Sequence, residues 1–439
     1  MKKHTVGIWI YGICVALLTF TAVWQAASFL RLWTNRGRAY TNPNSVTEEL
    51  DRETGLMRPI RIYASSGRRE GRACLVNGQT AHYTAIYNAS WNFLKAVLEQ
   101  GAEAQKVSIE RLNTIGVVCR YTYNLELSAE ILSAETGWYY GSQFAFQELW
   151  MVPAQSVLTK ACVYLVDFQS GTALRILAAN LGWQEEVNQA LADEVQAVCS
   201  ALDELYLTTY SVYPGIFREN FYLRDQKEPE ILVPWREVPI EWSETQAREY
   251  AERFSAHPEL LREETYDSGS WVFTDDRVSI RVQKDGKVEY VATPAVNEAE
   301  GNLGEAYRAA WNFLQEDLRQ EEDVPETCLS RIEETPESTV FYMNYKVDDR
   351  EVLPEAEDYA IRIEVKNGQV YRYQRRCIQV EYNSYGIRTV QDTALDVLNR
   401  QAGALPDTLQ LVYRICSGEA ELYWRLEYSG TQLYEKVRL

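Results

Sequence analysis

The sequence predicts an α+β fold: an N-terminal transmembrane helix, then an extracellular body of three α+β units with mainly antiparallel sheets. Three observations lead there. An uncharged run of 26 residues, Thr5 to Leu30, precedes everything but a four-residue tail. Beyond it, alternating polar–apolar runs joined at Asp-Gly or Asn-Gly are interspersed with stretches of helical period, the pattern of hairpins packed with helices. Finally, one helix-like phrase is spelled twice. YNASWNFLKAVLEQ at Tyr87–Gln100 and YRAAWNFLQEDLRQ at Tyr307–Gln320 share eight of fourteen positions at an offset of 220 residues. A catalytic motif rarely needs a second copy, whereas a structural unit that is built twice does.

The N-terminus reads as a cytoplasmic tail (1–4) and a transmembrane helix (5–30). About 20 apolar residues cross the hydrocarbon layer, so this run is long enough with modest tilt. Lys2 and Lys3 favour an inside N-terminus, although Arg31, Arg36 and Arg38 beyond the other end blunt the signal. A cleaved signal peptide would have an apolar region of about 7–15 residues and an A-x-A-like site. The run exceeds that, and Ala26-Ala27-Ser28 fits such a site poorly, so an uncleaved anchor is expected. Gly12, Ala16, Thr19, Val23 and Ala26, spaced +4, +3, +4, +3, form a narrow stripe of mostly small residues. Lipid gives no hydrophobic drive between helices, so small side chains that admit a neighbouring backbone mark a packing face. Trp9, Tyr11 and Trp24 suit the two interfaces.

Residues 31–54, polar with Asn35, Gly37, Asn42, Pro43 and Asn44, read as a juxtamembrane linker. The first unit (55–205) opens with a strand at Arg58–Tyr63. The helix around Trp91 follows, then strands at Val117–Ser128 and Ala161–Phe168, and helical patterns at Thr172–Leu181 and Glu185–Leu205. The middle unit (206–295) holds strand-like EILVPWREVPI, whose prolines argue against a central strand. A helix follows, with Ser243 and Gln246 at capping-box spacing, then two alternating runs over Trp271–Thr293 joined at Asp285-Gly286, with another turn signal at Asp275-Asp276. The last unit (296–439) partly duplicates the first. Ile60-Arg61-Ile62 meet Ile280-Arg281-Val282 at the same offset, Tyr87–Gln100 meet Tyr307–Gln320, and YNLELSAEIL at Tyr123 roughly matches YKVDDREVL at Tyr345. Strands around Asn367-Gly368, a helix at Thr389–Arg400 and a terminal meander complete it. Trp91 and Trp311, with Phe93/Phe313 and Leu94/Leu314, are expected to plug each repeated helix onto its own sheet.

Net charge of −19 and a pI near 4.8 argue against nucleic acid and against anionic lipid or wall polymer, all of which need a basic patch. With 29 tyrosines and 12 tryptophans, the composition favours half-buried β surfaces. Only three histidines occur, so zinc or histidine-based catalysis has little to draw on. Seven cysteines lie beyond the membrane segment without C-x-x-C spacing, which reads as buried thiols rather than a disulfide framework. G-x-S-x-G, H-E-x-x-H, G-x-G-x-x-G and P-loop patterns are absent from the sequence. Acidic clusters such as Gln320–Asp323, Glu333-Glu334 and Asp348-Asp349-Arg350-Glu351 could contain a glycosidase-like carboxylate pair, but in a chain with 63 acidic residues they are expected to be solvated surface or loop charge. No catalytic residue, cofactor site or metal site is assigned, and the protein is not expected to be an enzyme.

In its order of elements the chain resembles the YycH family. The stretch WVFTDDRVSIRVQKDGKVEYVAT is similar to that family's aromatic–Thr-Asp segment with its strand, turn and Glu-Tyr strand. YKVDDREVLPE, TALDVLNRQ and LVYRICSGEAELYWRLEYSG resemble its C-terminal half. The tryptophan-rich first unit and the odd cysteines depart from it, and the related YycI family is shorter. The resemblance implies a membrane-anchored, non-catalytic regulator of a two-component system controlling cell-wall metabolism in Gram-positive bacteria. The implied partners are a sensor histidine kinase of the WalK (YycG) type, met through the transmembrane helix, and a YycI-like regulator paired with the exported body. The alternative is an exported ligand-binding or peptidase-inhibitor-like module that its N-terminal helix merely anchors.

Overall fold

A computed structural model describes residues 58–439, apart from short segments of which 179–184, 209–221, 225–229 and 294–300 are the longest. The described residues form an α+β fold with mostly antiparallel sheets and six α-helices.

The first sheet has nine strands: β1 (Arg61–Ser66), β2 (Arg72–Val76), β3 (Ala104–Ser108), β4 (Val117–Ser128), β5 (Ala145–Val152), β6 (Cys162–Asp167), β7 (Thr172–Leu177), β8 (Tyr206–Thr208) and β9 (Tyr222–Arg224). Their spatial order is β3-β7-β6-β5-β4-β1-β2-β8-β9. The central strands are buried on both faces, and the larger core takes every second residue of each. The row Val76–Ile62–Tyr121–Leu149–Leu165–Leu174 runs straight across the strands. Helices α1 (Tyr83–Glu99) and α3 (Glu185–Ala201) pack on this sheet and on each other. A smaller core of Leu112, Val118, Trp150, Val166, Phe168 and Ala173 forms on the opposite face. There the Arg120 guanidinium lies 4.0 Å over the Trp150 ring, and Trp150 Nε1 donates to Glu148 Oε2 at 2.6 Å.

Thr172–Leu177 is thus a strand, not the start of the helix read over Thr172–Leu181. Asp167 Oδ1 accepts from the backbone N–H of Gln169 and Ser170, and Gly171 turns at φ +68°. That tight turn folds the segment back onto β6, and pairing on both edges overrides the helix preference of its Ala and Leu residues.

The remaining strands are β10 (Glu230–Leu232), β11 (Trp235–Pro239), β12 (Arg262–Tyr266), β13 (Ser270–Thr274), β14 (Val278–Gln283), β15 (Lys287–Ala292), β16 (Glu326–Glu334), β17 (Thr339–Val347), β18 (Arg350–Leu353), β19 (Ile361–Lys366), β20 (Gln369–Arg376), β21 (Ile378–Tyr382), β22 (Arg388–Val390), β23 (Thr408–Cys416), β24 (Glu419–Tyr428) and β25 (Thr431–Lys436). All but the β10–β22 pair join one large sheet, which runs unbroken across position 295 through the β15–β20 pairing. It branches at β17, which bonds β16, β18 and β19; β18 then pairs in parallel with β23. Against this sheet lie α4 (Glu244–Glu252) and α5 (Leu303–Leu318), and α6 (Ala394–Arg400) follows later in the chain. The row Phe341–Ile363–Tyr373–Tyr290–Ile280–Phe273 is fully or largely buried. The capping box at Ser243 and Gln246 starts α4 as its spacing predicts. Gly286 takes the hairpin turn at φ +93°, where a Cβ would lie 2.8 Å from the Cys377 carbonyl oxygen.

The repeated phrase is a helix in both places, preceded each time by an antiparallel hairpin: β1–β2 before α1 and β14–β15 before α5. Trp91, Phe93, Leu94 and Leu314 are buried; Trp311 and Phe313 are half-buried. Phe313 still packs against Phe254, Tyr290 and Tyr373. The hairpins then extend differently: β1 continues the first sheet through β4, whereas β15 continues the second through β20. The segments after Tyr123 and Tyr345 diverge for a local reason. Ser128 Oγ accepts from Glu130 N–H at 3.1 Å and starts a helix, α2 (Ala129–Thr136). In the other copy Asp348 and Asp349, at φ +50° and +58°, turn the chain straight into β18.

Helix α2 packs on α1, on β4 and on α5. The contact with α5 is backbone-close, since a Cβ on Gly304 would lie 2.8 Å from the Glu130 backbone carbonyl oxygen and 3.0 Å from Ala134 Cβ.

Candidate functional site: a buried ion cluster between the sheets

Strand β17 reads TVFYMNYKV and is buried on both faces over most of its length. Asn344 and Lys346 therefore place polar groups where solvent cannot answer them, and each must find partners inside. Lys346 Nζ lies 3.2 Å from Glu326 Oε2 and 3.2 Å from Asp349 Oδ1. Arg58 Nη1 lies 3.1 Å from Glu326 Oε1. Arg58 stands just ahead of β1, Glu326 opens β16, and Tyr83 opens α1 beside them. Arg61 Nε reaches the Asp349 carbonyl oxygen at 3.5 Å. The cluster so ties the first described residues of the chain, in the first sheet, to the branch point of the second.

Burial alone would raise the Glu326 pKa, but Lys346 and then Arg58 outweigh it and hold the carboxyl down at about 2. Burial also works to discharge Lys346, yet Glu326 and Asp349 keep its pKa above the ordinary lysine value. For Asp349 burial wins: its pKa is raised in spite of Lys346. Burial raises the Tyr83 phenol as well. A carboxylate clamped by two cations is a poor proton acceptor near neutral pH, so this geometry is suited to holding two sheets together.

Two further networks fix the same region. Arg375 Nη1 meets Asp317 Oδ2 at 2.8 Å with both side chains at 0% exposure, and Tyr373 donates to the same oxygen. Glu351 accepts from Asn344 Nδ2 at 2.7 Å and from Ser330, and pairs with Arg425 at 2.9 Å. Asn344 Oδ1 in turn accepts from Ala360 N–H at 2.7 Å. These contacts overturn the expectation that Asp348-Asp349-Arg350-Glu351 is solvated charge, for Glu351 is 1% exposed and Asp349 belongs to the buried cluster. Glu333-Glu334 remain on the exposed end of β16, and Gln320–Asp323 lies outside the described residues. The available signal was Asn344 and Lys346 at i and i+2 inside an otherwise apolar strand. Their partners are too distant in sequence to be read from spacing.

The predicted packing residues Gly12, Ala16, Thr19, Val23 and Ala26 lie outside the described residues, as do the predicted tail, transmembrane helix and linker. Among the described residues no helix is long and apolar enough to cross a membrane, and no three His, Cys, Asp or Glu side chains are grouped to hold a metal ion. The seven described cysteines are free thiols, six of them buried.

Fold and site together define an α+β protein of two main sheets whose halves are tied by a buried ion cluster. Its fold is, more particularly, YycH-like. The structure matches the crystal structure of YycH from Bacillus subtilis with a TM-score of 0.60, over 87% of this chain and 96% of that one, at 13% sequence identity. No protein-family model and no curated protein sequence matches the chain.

Proposed function

We propose that the protein is a non-enzymatic, membrane-anchored regulator of a sensor histidine kinase of the WalK (YycG) type, within a two-component system that controls cell-wall metabolism. The observation that carries this reading is the YycH-like fold across 87% of the chain, combined with the uncharged 26-residue segment ahead of it. In this reading residues 5–30 cross the cell membrane once with the N-terminus cytoplasmic, and the two-sheet body lies outside. The helix packs against the kinase through Gly12, Ala16, Thr19, Val23 and Ala26, and the body pairs with a YycI-like regulator. A regulator shifts the kinase between signalling states only by the difference in its affinity for them. The small-residue stripe would supply that difference by close helix contact.

Replacing Gly12 and Ala16 together by leucine puts two branched side chains into the stripe. Kinase output, measured by a target-promoter reporter at matched protein abundance, is expected to move to the level of a strain lacking the protein. Unchanged output would count against helix packing.

A further inference from the structure

The contact between α2 and α5 contains a carboxyl group that the networks above do not use. Glu135 sits in the last turn of α2. It is partly exposed as a residue, but its Oε1 is sealed from solvent and has no hydrogen-bond partner. A buried oxygen of this kind is tolerated far better on a neutral acid than on a carboxylate.

The charged and titratable groups around it come from the three elements packed on α2: Lys95 from α1, Tyr123 from β4, and Arg308 and Tyr307 from α5, with Tyr87 of α1 acting on the two tyrosines. The Lys95 ammonium stands 5.5 Å over the Trp91 ring, and Arg308 is exposed. Burial raises the phenol pKa values of Tyr123 and Tyr307, and Tyr87 and Glu135 both add to the rise. Burial pushes the Glu135 carboxyl up to about 8, against the pull of Lys95 and Arg308. Backbone contact at Gly304 leaves the two helices little room to yield around a charge.

We infer that Glu135 makes the α2–α5 contact, and with it the join between the two sheets, responsive to pH: the protonated acid closes the seam and the carboxylate loosens it. This inference stands independently of the proposed function. The sign follows from linkage. The closed seam binds the proton more tightly than an opened one, in which Glu135 has an ordinary carboxyl pKa. Opening is therefore suppressed in acid, grows with rising pH between about 5 and 8, and levels off above 8. Asp349 and Glu126 also carry raised pKa values, so overall stability alone does not isolate Glu135. A local readout does.

The experiment is hydrogen–deuterium exchange on the full chain in detergent from pH 5 to 9, corrected for intrinsic exchange. Protection is followed over residues 129–136 and 303–310 in wild type, in Glu135→Gln and in Glu135→Met. Wild-type protection in these segments is expected to fall by up to about tenfold per pH unit between pH 5 and 8 and then to flatten. Both variants should be flat across that range. A flat wild-type profile overturns the inference, whether or not either variant folds. So does a folded variant that keeps the wild-type slope.

Discussion

Lys346→Met lowers the stability of the folded body by about 3–5 kcal/mol, the usual cost of removing one partner from a buried charge cluster. Urea unfolding at pH 7 measures it. The loss arises because Glu326 keeps only Arg58 while Asp349 loses the ammonium 3.2 Å away. Methionine matches the lysine stem in length, so the lost packing is small. The pH dependence separates this cause from a generic core defect. In the wild type the Glu326 pKa is depressed from 4.5 to about 2, so its contribution is complete above 4.5 and is lost as pH falls towards 2. In the variant that depression shrinks, and Asp349 takes up a proton more readily. The stability gap between the two proteins is therefore expected to narrow from pH 7 to pH 4. A gap of equal size at both pH values would show that packing, not charge, is what the substitution removed.

Asp317→Leu has an effect of similar size for a simpler reason. It takes the carboxylate away from the Arg375 guanidinium at a position with no solvent exposure, leaving its charge uncompensated, and removes the acceptor used by Tyr373. About 3–5 kcal/mol is expected from breaking such a pair. The informative partner is the double variant Asp317→Leu with Arg375→Met, which removes both charges at once. Buried pairs replaced by apolar groups of similar volume are often close to neutral, so the double variant should recover most of the loss. The coupling energy from the double-mutant cycle reads this directly. Additive losses would mean that each residue acts through its own contacts with Tyr345, Tyr373 or the sheet.

Local physics made much of the fold legible in the sequence. The helices α1 and α5 follow from apolar period, α4 from the Ser243 and Gln246 capping box, and two hairpins from Asp285-Gly286 and Asn367-Gly368. Strand β4 has the bounds that its alternation predicts, Val117–Ser128. What stayed hidden depends on partners far along the chain. TALRIL has helix-favouring composition, and only its pairing with β3 and β6 makes it a strand. The match between the two copies likewise ends where one Ser cap and one pair of left-handed aspartates send similar segments into a helix and a strand. The ion cluster joins Arg58 to residues beyond position 320, and in a chain with 63 acidic residues nothing local separates Glu326 or Asp349 from surface charge. Glu135 was hidden for the same reason: its environment is made by α1, β4 and α5.

The proposed regulation through a membrane-spanning helix is tested most directly by exchanging residues 5–30 for an unrelated spanning helix of equal length. Residues 31–439 stay unchanged, and kinase output is compared at equal abundance in membranes. A working helix contact predicts that the exchanged protein loses its effect on the kinase although its body remains folded and membrane-bound. Full retention of that effect would contradict it and would make the segment an anchor alone.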